Sequence, residues 1–316
     1  MVNNGRVFAV SAGFGGYVIA INASTGDLIW EAVRYYGRTV GNITDLKNWR
    51  VSGFPLVGNT FDGSWVYCIG GNASDVYFFK LDTKNGNILW QTNTESTLET
   101  LPIIIAITQR QVIIANITQL ISLDETSGKI LWTFDVGASI YQATSNGNLL
   151  FFGAGNGNLY AVNVSEGKQV WISNIDSKNL LTNVDDDKIT LTTYPIQIDT
   201  KNNRLYWSFG VTQKLVTSSS NKNYTYTEVV CSLDLPNGNL TWIQVIENKG
   251  SFYSPSAGMV VNKGTVYLTE HTSLWILDAS TGNLTELHRF DHFVLPPVKD
   301  GDQVFIAGDL WLTAYT

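Results

Sequence analysis

Leu123-Asp124-Glu125-Thr126-Ser127-Gly128-Lys129-Ile130-Leu131-Trp132 is one copy of a unit that recurs along the chain. Reduced to its fixed positions, it reads Asp or Asn, three residues, Gly, three residues, Trp. The other full copies are Asn22-Gly26-Trp30, Asp82-Gly86-Trp90, Asn163-Gly167-Trp171 and Asp234-Gly238-Trp242, and a further copy, Asp278-Gly282, has Glu286 in the Trp position. An alternating apolar run precedes each Asp or Asn and another follows each Gly, as in NLYAVNVSEGKQVW from Asn158 to Trp171. That pattern is a β-hairpin: the acid or amide side chain accepts backbone N–H bonds inside the turn, and Gly supplies the positive φ that a tight turn requires. The Trp then stands at a fixed place on the second strand, where its flat ring can cover a neighbouring sheet.

Two further strand-like runs accompany each hairpin, giving four short strands, A to D, repeated about every 40 to 45 residues. Such a period means supersecondary units that each need a neighbour to bury an apolar face. The expected fold is therefore all-β, a seven-bladed β-propeller of four-stranded antiparallel blades with tryptophan-docking repeats. The blades are read at residues 1–34, 53–93, 100–136, 139–173, 194–246, 255–290 and 293–316. The seventh begins at 294–298, continues at 304–307 and lacks its last strand, because Thr316 falls where the motif Asp belongs. Pro55, Pro102, Pro195, Pro255 and Pro296 lie in or beside first strands, positions that tolerate the missing N–H. The run GAGNGN after Phe152 joins two strands and reads as a hairpin turn, not a nucleotide loop.

Composition limits the function. Only 15% of the residues are charged and the net charge is −7, so the exterior is built from Asn, Thr, Ser and Gly and offers nothing basic to nucleic acid. Cys68 and Cys231 fall in strand runs of different repeats and read as small buried core residues, with no disulfide framework. No apolar run approaches the roughly 18 residues of a spanning helix, and MVNNGRVFAV lacks the features of a secretory signal. The polar, charge-poor surface resembles that of archaeal cell-surface proteins and gives an extracellular or cell-surface address, with the whole chain a single propeller domain of a longer surface protein. Asn-x-Ser/Thr triplets occur at Asn22, Asn42, Asn72, Asn116, Asn163, Asn223, Asn239 and Asn283, a number little above chance for this composition. Asn22 and Asn163 are accounted for by the turn; Asn42, Asn72, Asn116 and Asn223 are the candidate glycosylation sites.

The repeat is interrupted at 35–52 and 173–193, between a D strand and the next A strand, and at 210–225, between the B and C strands of the fifth unit. In an up-and-down blade those two kinds of connection emerge on one side, so the insertions decorate one face, the expected binding face. The first insertion and its flanks carry Arg34, Tyr35, Tyr36, Arg38, Lys47, Trp49 and Arg50, a mixture suited to a protein or glycan partner, with the aromatics alternatively folding the loop onto the rim. Asp185, Asp186 and Asp187 are a candidate metal cluster, although VDDDKIT lacks the alternating ligands and Gly of a calcium loop and reads equally as a solvated acidic segment. His288 and His292 flank Asp291 at a spacing that metal ligands sometimes use.

The Asp-x3-Gly-x3-Trp hairpins, preceded by runs such as LYAVN and LISLD, resemble the tryptophan-docking repeat of the quinoprotein alcohol dehydrogenase-like, pyrroloquinoline quinone (PQQ) repeat propellers. The resemblance implies either of two activities: quinone- and calcium-dependent oxidation of alcohols or sugars, with an Asp as base, or non-catalytic scaffolding like that of the outer-membrane assembly lipoprotein. The dehydrogenases commonly stack the quinone on a disulfide between adjacent cysteines, and this chain has no adjacent pair. It therefore looks more like the scaffold members. The expectation is an extracytoplasmic, non-catalytic binding or assembly propeller without a cofactor, the alternative being a PQQ- and calcium-dependent dehydrogenase.

Overall fold

The computed structural model describes residues 2–10, 18–32, 50–57, 65–71, 76–94, 103–107, 110–175, 189–193, 196–215, 223–248, 258–308 and 311–315. Among them the chain forms strands and turns and no helix. It divides into two compact units, Met1–Gly137 and Ala138–Thr316.

The first unit holds three blades. Blade 1 is β1 (Val2–Asn3), β2 (Arg6–Val10), β3 (Val18–Asn22) and β4 (Leu28–Ala32). Blade 2 is β5 (Arg50–Val57), β6 (Trp65–Gly71), β7 (Val76–Asp82) and β8 (Ile88–Asn93), and blade 3 is β9 (Ile103–Ile107), β10 (Gln111–Asn116), β11 (Gln119–Asp124) and β12 (Ile130–Asp135). The second unit holds four. Blade 4 is β13 (Ile140–Asn146), β14 (Leu149–Ala154), β15 (Asn158–Asn163) and β16 (Gln169–Asn174). Blade 5 is β17 (Ile189–Thr193), β18 (Gln197–Asp199), β19 (Arg204–Leu215), β20 (Asn223–Asp234) and β21 (Leu240–Asn248). Blade 6 is β22 (Gly258–Asn262), β23 (Thr265–Glu270), β24 (Ser273–Asp278) and β25 (Leu284–Arg289), and blade 7 is β26 (Val298–Asp300), β27 (Gln303–Gly308) and β28 (Trp311–Tyr315). Each sheet is antiparallel and follows chain order, as in up-and-down propeller blades, except that in blade 5 both β17 and β18 pair with β19; the seventh sheet holds three strands.

Burial follows position within a blade. Strands β11 and β15 are buried over four central residues, whereas the outer strands β12 and β16 are largely exposed. The apolar clusters are accordingly shared between blades: Phe8, Val18 and Trp30 of blade 1 pack with Val66, Cys68 and Phe79 of blade 2. In the second unit, Phe151 and Leu159 of blade 4 pack with Trp207, Phe209 and Cys231 of blade 5. Both cysteines are free and buried, as expected.

The hairpin motif acts between blades. Trp30 Nε1 donates to the carbonyl of Thr83 (2.7 Å), Trp90 to Glu125 (3.0 Å), Trp171 to Leu235 (3.2 Å) and Trp242 to Ala279 (2.9 Å). The acceptor is always the residue after the motif Asp of the following blade. The same rings lie flat on the motif glycines: a Cβ built at Gly86, Gly128, Gly238 or Gly282 would stand 2.7, 2.5, 2.5 or 2.4 Å from the docked Trp. Each of these hairpins also shifts register just before its Trp, as between Ser122 and Leu123 opposite Trp132 and Ile130, leaving one bulge residue on the outer strand. The copy without Trp keeps that bulge, between Ile276 and Leu277 opposite Glu286 and Leu284.

Three sequence expectations need correction. Residues 210–225 are not simply a loop: β19 and β20 run for 12 residues each and pair in register from Arg204↔Asp234 to Leu215↔Asn223. Thr, Tyr and Val alternate through VTQKL and NYTYTEV, so the strand period simply continues past the blade. The insertion at 35–52 ends in strand, since β5 starts at Arg50 and pairs with Gly71. The first strand of blade 7 is β26 at Val298–Asp300, and of its expected residues Val294 makes only an isolated bridge to Gly308, because Pro296 and Pro297 interrupt the ladder between them.

Candidate functional site

The two ends of a blade have different chemistry. At the C–D turn end the motif side chains are consumed locally. Asp124 Oδ1 accepts from Ser127 N (2.7 Å) and Ser127 Oγ (2.6 Å), and Asp278 Oδ1 accepts from Ser280 Oγ (2.6 Å), Thr281 N (2.8 Å) and Thr281 Oγ1 (2.9 Å). These bonds favour the ionised form, so the Ser127 hydroxyl holds the Asp124 carboxyl below the usual carboxylate range and the Ser280 and Thr281 hydroxyls do the same for Asp278. Such turns are closed structural devices, not ligand sites.

Just inward of the blade 3 turn lies a buried charge network that the sequence did not disclose. Lys80 Nζ donates to Glu125 Oε1 (2.6 Å) and to the Glu125 carbonyl (3.0 Å), with both side chains less than a tenth exposed. Tyr67 Oη donates to the same Oε1 (2.7 Å), and the ammonium sits 3.8 Å from the centre of the Trp65 ring. Desolvation first, then the Glu125 hydrogen bond and charge, push the Tyr67 phenol far above its ordinary pKa. With every charge satisfied inside the blade 2–blade 3 packing, the network fixes register. An anionic quinone would need buried cationic donors, and the buried cation among the described residues is Lys80, already committed to Glu125. The described residues thus do not fit that cofactor, and none of their His, Cys, Asp and Glu side chains gather in groups of three or more as a metal would require.

The opposite end carries the D–A and B–C connections. In blade 2 the pairing Arg50↔Gly71 sets the start of β5 beside the end of β6, so Arg50 stands at this end. The other residues of its proposed partner cluster, Arg34, Tyr35, Tyr36, Arg38, Lys47 and Trp49, lie outside the described residues, as do Asp185, Asp186, Asp187, Asn42 and Asn72. In blade 5, β17 pairs with β19 from Ile189↔Gln213 to Thr193↔Phe209, bringing the end of the second insertion against the third in one sheet. The six extra residues of β19 relative to β23 carry the blade roughly 20 Å further.

In blades 6 and 7 the same end presents a patch that the sequence reading missed. Phe293 and Leu295 are half exposed on either side of fully buried Val294, whose N–H is tied to the His271 carbonyl (2.9 Å), while Leu295 N–H is tied to Ala307 (2.8 Å). His271, at φ +52°, stacks on Phe293 with 4.7 Å between ring centres. The signal was present in HFVLPP, where apolar residues run on past the end of a strand. His288 does not join His292 in a metal site; its ring nitrogen lies 3.0 Å from Glu286 Oε2. Of the remaining candidate glycosylation positions, Asn116 closes the β10–β11 hairpin opposite Gln119, and Asn223 begins β20 opposite Leu215.

Fold and turn chemistry together define a class: propellers whose blades are locked by a tryptophan carried on each hairpin. Within that class the chain belongs to the family described as outer membrane protein assembly factor BamB, which matches residues 1–106, 74–187 and 118–309. It is 26% identical over 280 residues, 85% of its length, to the outer membrane protein assembly factor BamB of Yersinia pestis, and spans 61% of that protein. Among solved structures, BamB from Moraxella catarrhalis superposes with a TM-score of 0.54 at 16% identity, covering 96% of this chain and 80% of that one. A quinohemoprotein alcohol dehydrogenase from Pseudomonas putida HK5 superposes with a TM-score of 0.61 at 11% identity, covering 96% and 60%. The structural likenesses establish the fold, and by sequence the chain stands with the assembly factor.

Proposed function

We propose that this chain is a non-catalytic propeller that works outside the cytoplasm as a binding or assembly module for a protein partner, received at the blade end where the D–A and B–C connections emerge. The observation that carries the reading is the match of an assembly-factor family along residues 1–309. Two features of that end support it: the lengthened sheet of blade 5, and the rigidly held pair Phe293 and Leu295, since exposed apolar side chains fixed by buried neighbours are what protein contacts favour. In the first unit the corresponding blade end is assigned the cluster from Arg34 to Arg50, with Trp49 and Tyr36, and a glycan is the rival ligand for those aromatics.

The test is a photocrosslinking residue placed at Phe293, at Trp49 or, as a control, at the C–D turn residue Asp27, in the cell envelope. A discrete protein adduct from the first two positions and none from Asp27 is expected. Equal adducts from Asp27 would overturn the proposed face. Glycan-array binding abolished by Trp49→Ala would replace the protein partner with a carbohydrate, and dye reduction with alcohols or sugars after addition of PQQ and calcium would replace the scaffold with a dehydrogenase.

A further inference from the structure

The four Asn-x-Ser/Thr triplets on the motif hairpins fall into two chemically distinct groups. Asn22 and Asn163 are the motif residues themselves. Asn22 Oδ1 accepts from Ser24 N (2.9 Å), Ser24 Oγ (2.8 Å) and Thr25 N (3.2 Å), and Asn163 Oδ1 accepts from Ser165 N (3.0 Å), Ser165 Oγ (2.9 Å) and Asn148 Nδ2 (3.0 Å). In both, the amide oxygen and the hydroxyl two residues on are bound to each other, and the Asn is half-buried in the turn. Asn239 and Asn283 differ. Each follows the motif Gly directly, and each has its backbone held, through N–H to Asn237 Oδ1 (2.8 Å) or Thr281 Oγ1 (3.3 Å) and through the carbonyl to Asp234 or Asp278 N–H. Each side chain is exposed, and the following Leu240 and Leu284 are 46% and 45% exposed.

The third residue of both triplets occupies the bulge. At that position the earlier blades carry an aliphatic residue, Ile29, Leu89, Leu131 and Val170, while blades 5 and 6 carry Thr241 and Thr285. Their hydroxyls donate across the hairpin to Ser232 (2.7 Å) and Ile276 (2.9 Å), which fixes the triplet in an open, rim-facing conformation. Asn87 of blade 2 is an internal control, exposed at the equivalent place but followed by Ile88 and Leu89.

We propose that Asn239 and Asn283 are N-glycosylation acceptors of this chain, in the Asn-Leu-Thr triplets that open the outer strands of blades 5 and 6. The donor class is a lipid-linked oligosaccharide diphosphate. The Asn amide nitrogen bonds to the anomeric carbon, the bond from that carbon to the phosphate oxygen breaks, the lipid diphosphate leaves with the electron pair, and the amide proton passes to a carboxylate of the transferase. The assignment rests on the extracytoplasmic reading above, so location and occupancy are measured together.

The chain is recovered from its own cells by fraction, and its peptides are mapped by mass spectrometry; the purified folded chain is treated in parallel with an oligosaccharyltransferase and its lipid-linked donor. Occupancy at both asparagines in the envelope fraction is expected, with Asn239→Gln and Asn283→Gln each removing one glycan. Thr241→Ala and Thr285→Ala remove the same glycans with the asparagine intact, and Thr→Ser retains them. Envelope-located chain bare at both sites overturns the acceptors alone. Chain recovered only from the cytoplasm overturns the location and the acceptors together. Preferential modification of Asn22 or Asn163 in the purified reaction overturns the structural sorting.

Discussion

Gly128 shows how much one absent side chain can decide. It sits at φ +72°, where an L side chain is strained, and the Trp90 ring occupies the space its Cβ would take, 2.5 Å away. Gly26 has nearly the same φ, +78°, with nothing within 4 Å. Gly26→Ala should therefore cost only the left-handed backbone term, about 1–2 kcal/mol, while Gly128→Ala adds the displacement of a docked indole and should cost about 3–4 kcal/mol. Urea unfolding of the two variants measures the difference, and equal losses would show that the ring contact contributes nothing. The Asp124 turn makes a prediction in pH. Its folded pKa lies below the ordinary carboxylate value because Ser127 bonds the ionised form, so its stabilisation is present above the unfolded pKa and is lost as pH falls through the folded one. Asp124→Asn keeps an acceptor oxygen, as Asn22 and Asn163 show, but no charge. The variant should be less stable than the parent at neutral pH, and the gap should close below about pH 4 in acid titrations of the melting temperature.

At the scale of elements, Lys80 and Glu125 join β7 of blade 2 to the turn of blade 3. Lys80→Met leaves the Glu125 carboxylate buried without its cation and should cost about 3–5 kcal/mol, whereas Lys80→Met with Glu125→Leu should recover most of that loss. A double-mutant cycle in urea checks this, and additive losses would refute the coupling. The pair also shows what a sequence hides. The hairpins were legible because their chemistry is local: Asp, Gly and Trp each act within a span that a single turn fixes. Lys80 was illegible because a Lys in an alternating strand normally points to water, and its partner is 45 residues away. The arm of β19 and β20 failed for the opposite reason. Its alternation was plain, but the repeat length of the other blades argued for ending the strands early. The docking acceptors, carbonyls following the next blade's Asp, carry no side-chain signature at all, and the Phe293–Leu295 patch lies in a connection too short to stand out from the repeat.

Across the described residues, each apolar cluster is shared by two neighbouring blades. Cys68 lies in the cluster shared by blades 1 and 2, and Cys231 in the larger one shared by blades 4 and 5. Stability in such an array is a sum of neighbour interfaces, so each thiol reports the opening of its own unit. Burial pushes the Cys68 thiol up to about 12 and that of Cys231 higher still, which removes the reactive thiolate as long as the blades stay packed. Neither should react with a thiol reagent in native buffer at pH 8. In rising urea, with labelled peptides quantified by mass spectrometry, Cys68 should label first, and Cys231, held by the larger cluster and by Trp171 and Trp242 docked on successive turns, should label last. Labelling of either thiol without denaturant would contradict the shared-core packing, and labelling in the reverse order would show that cluster size does not set which unit opens first.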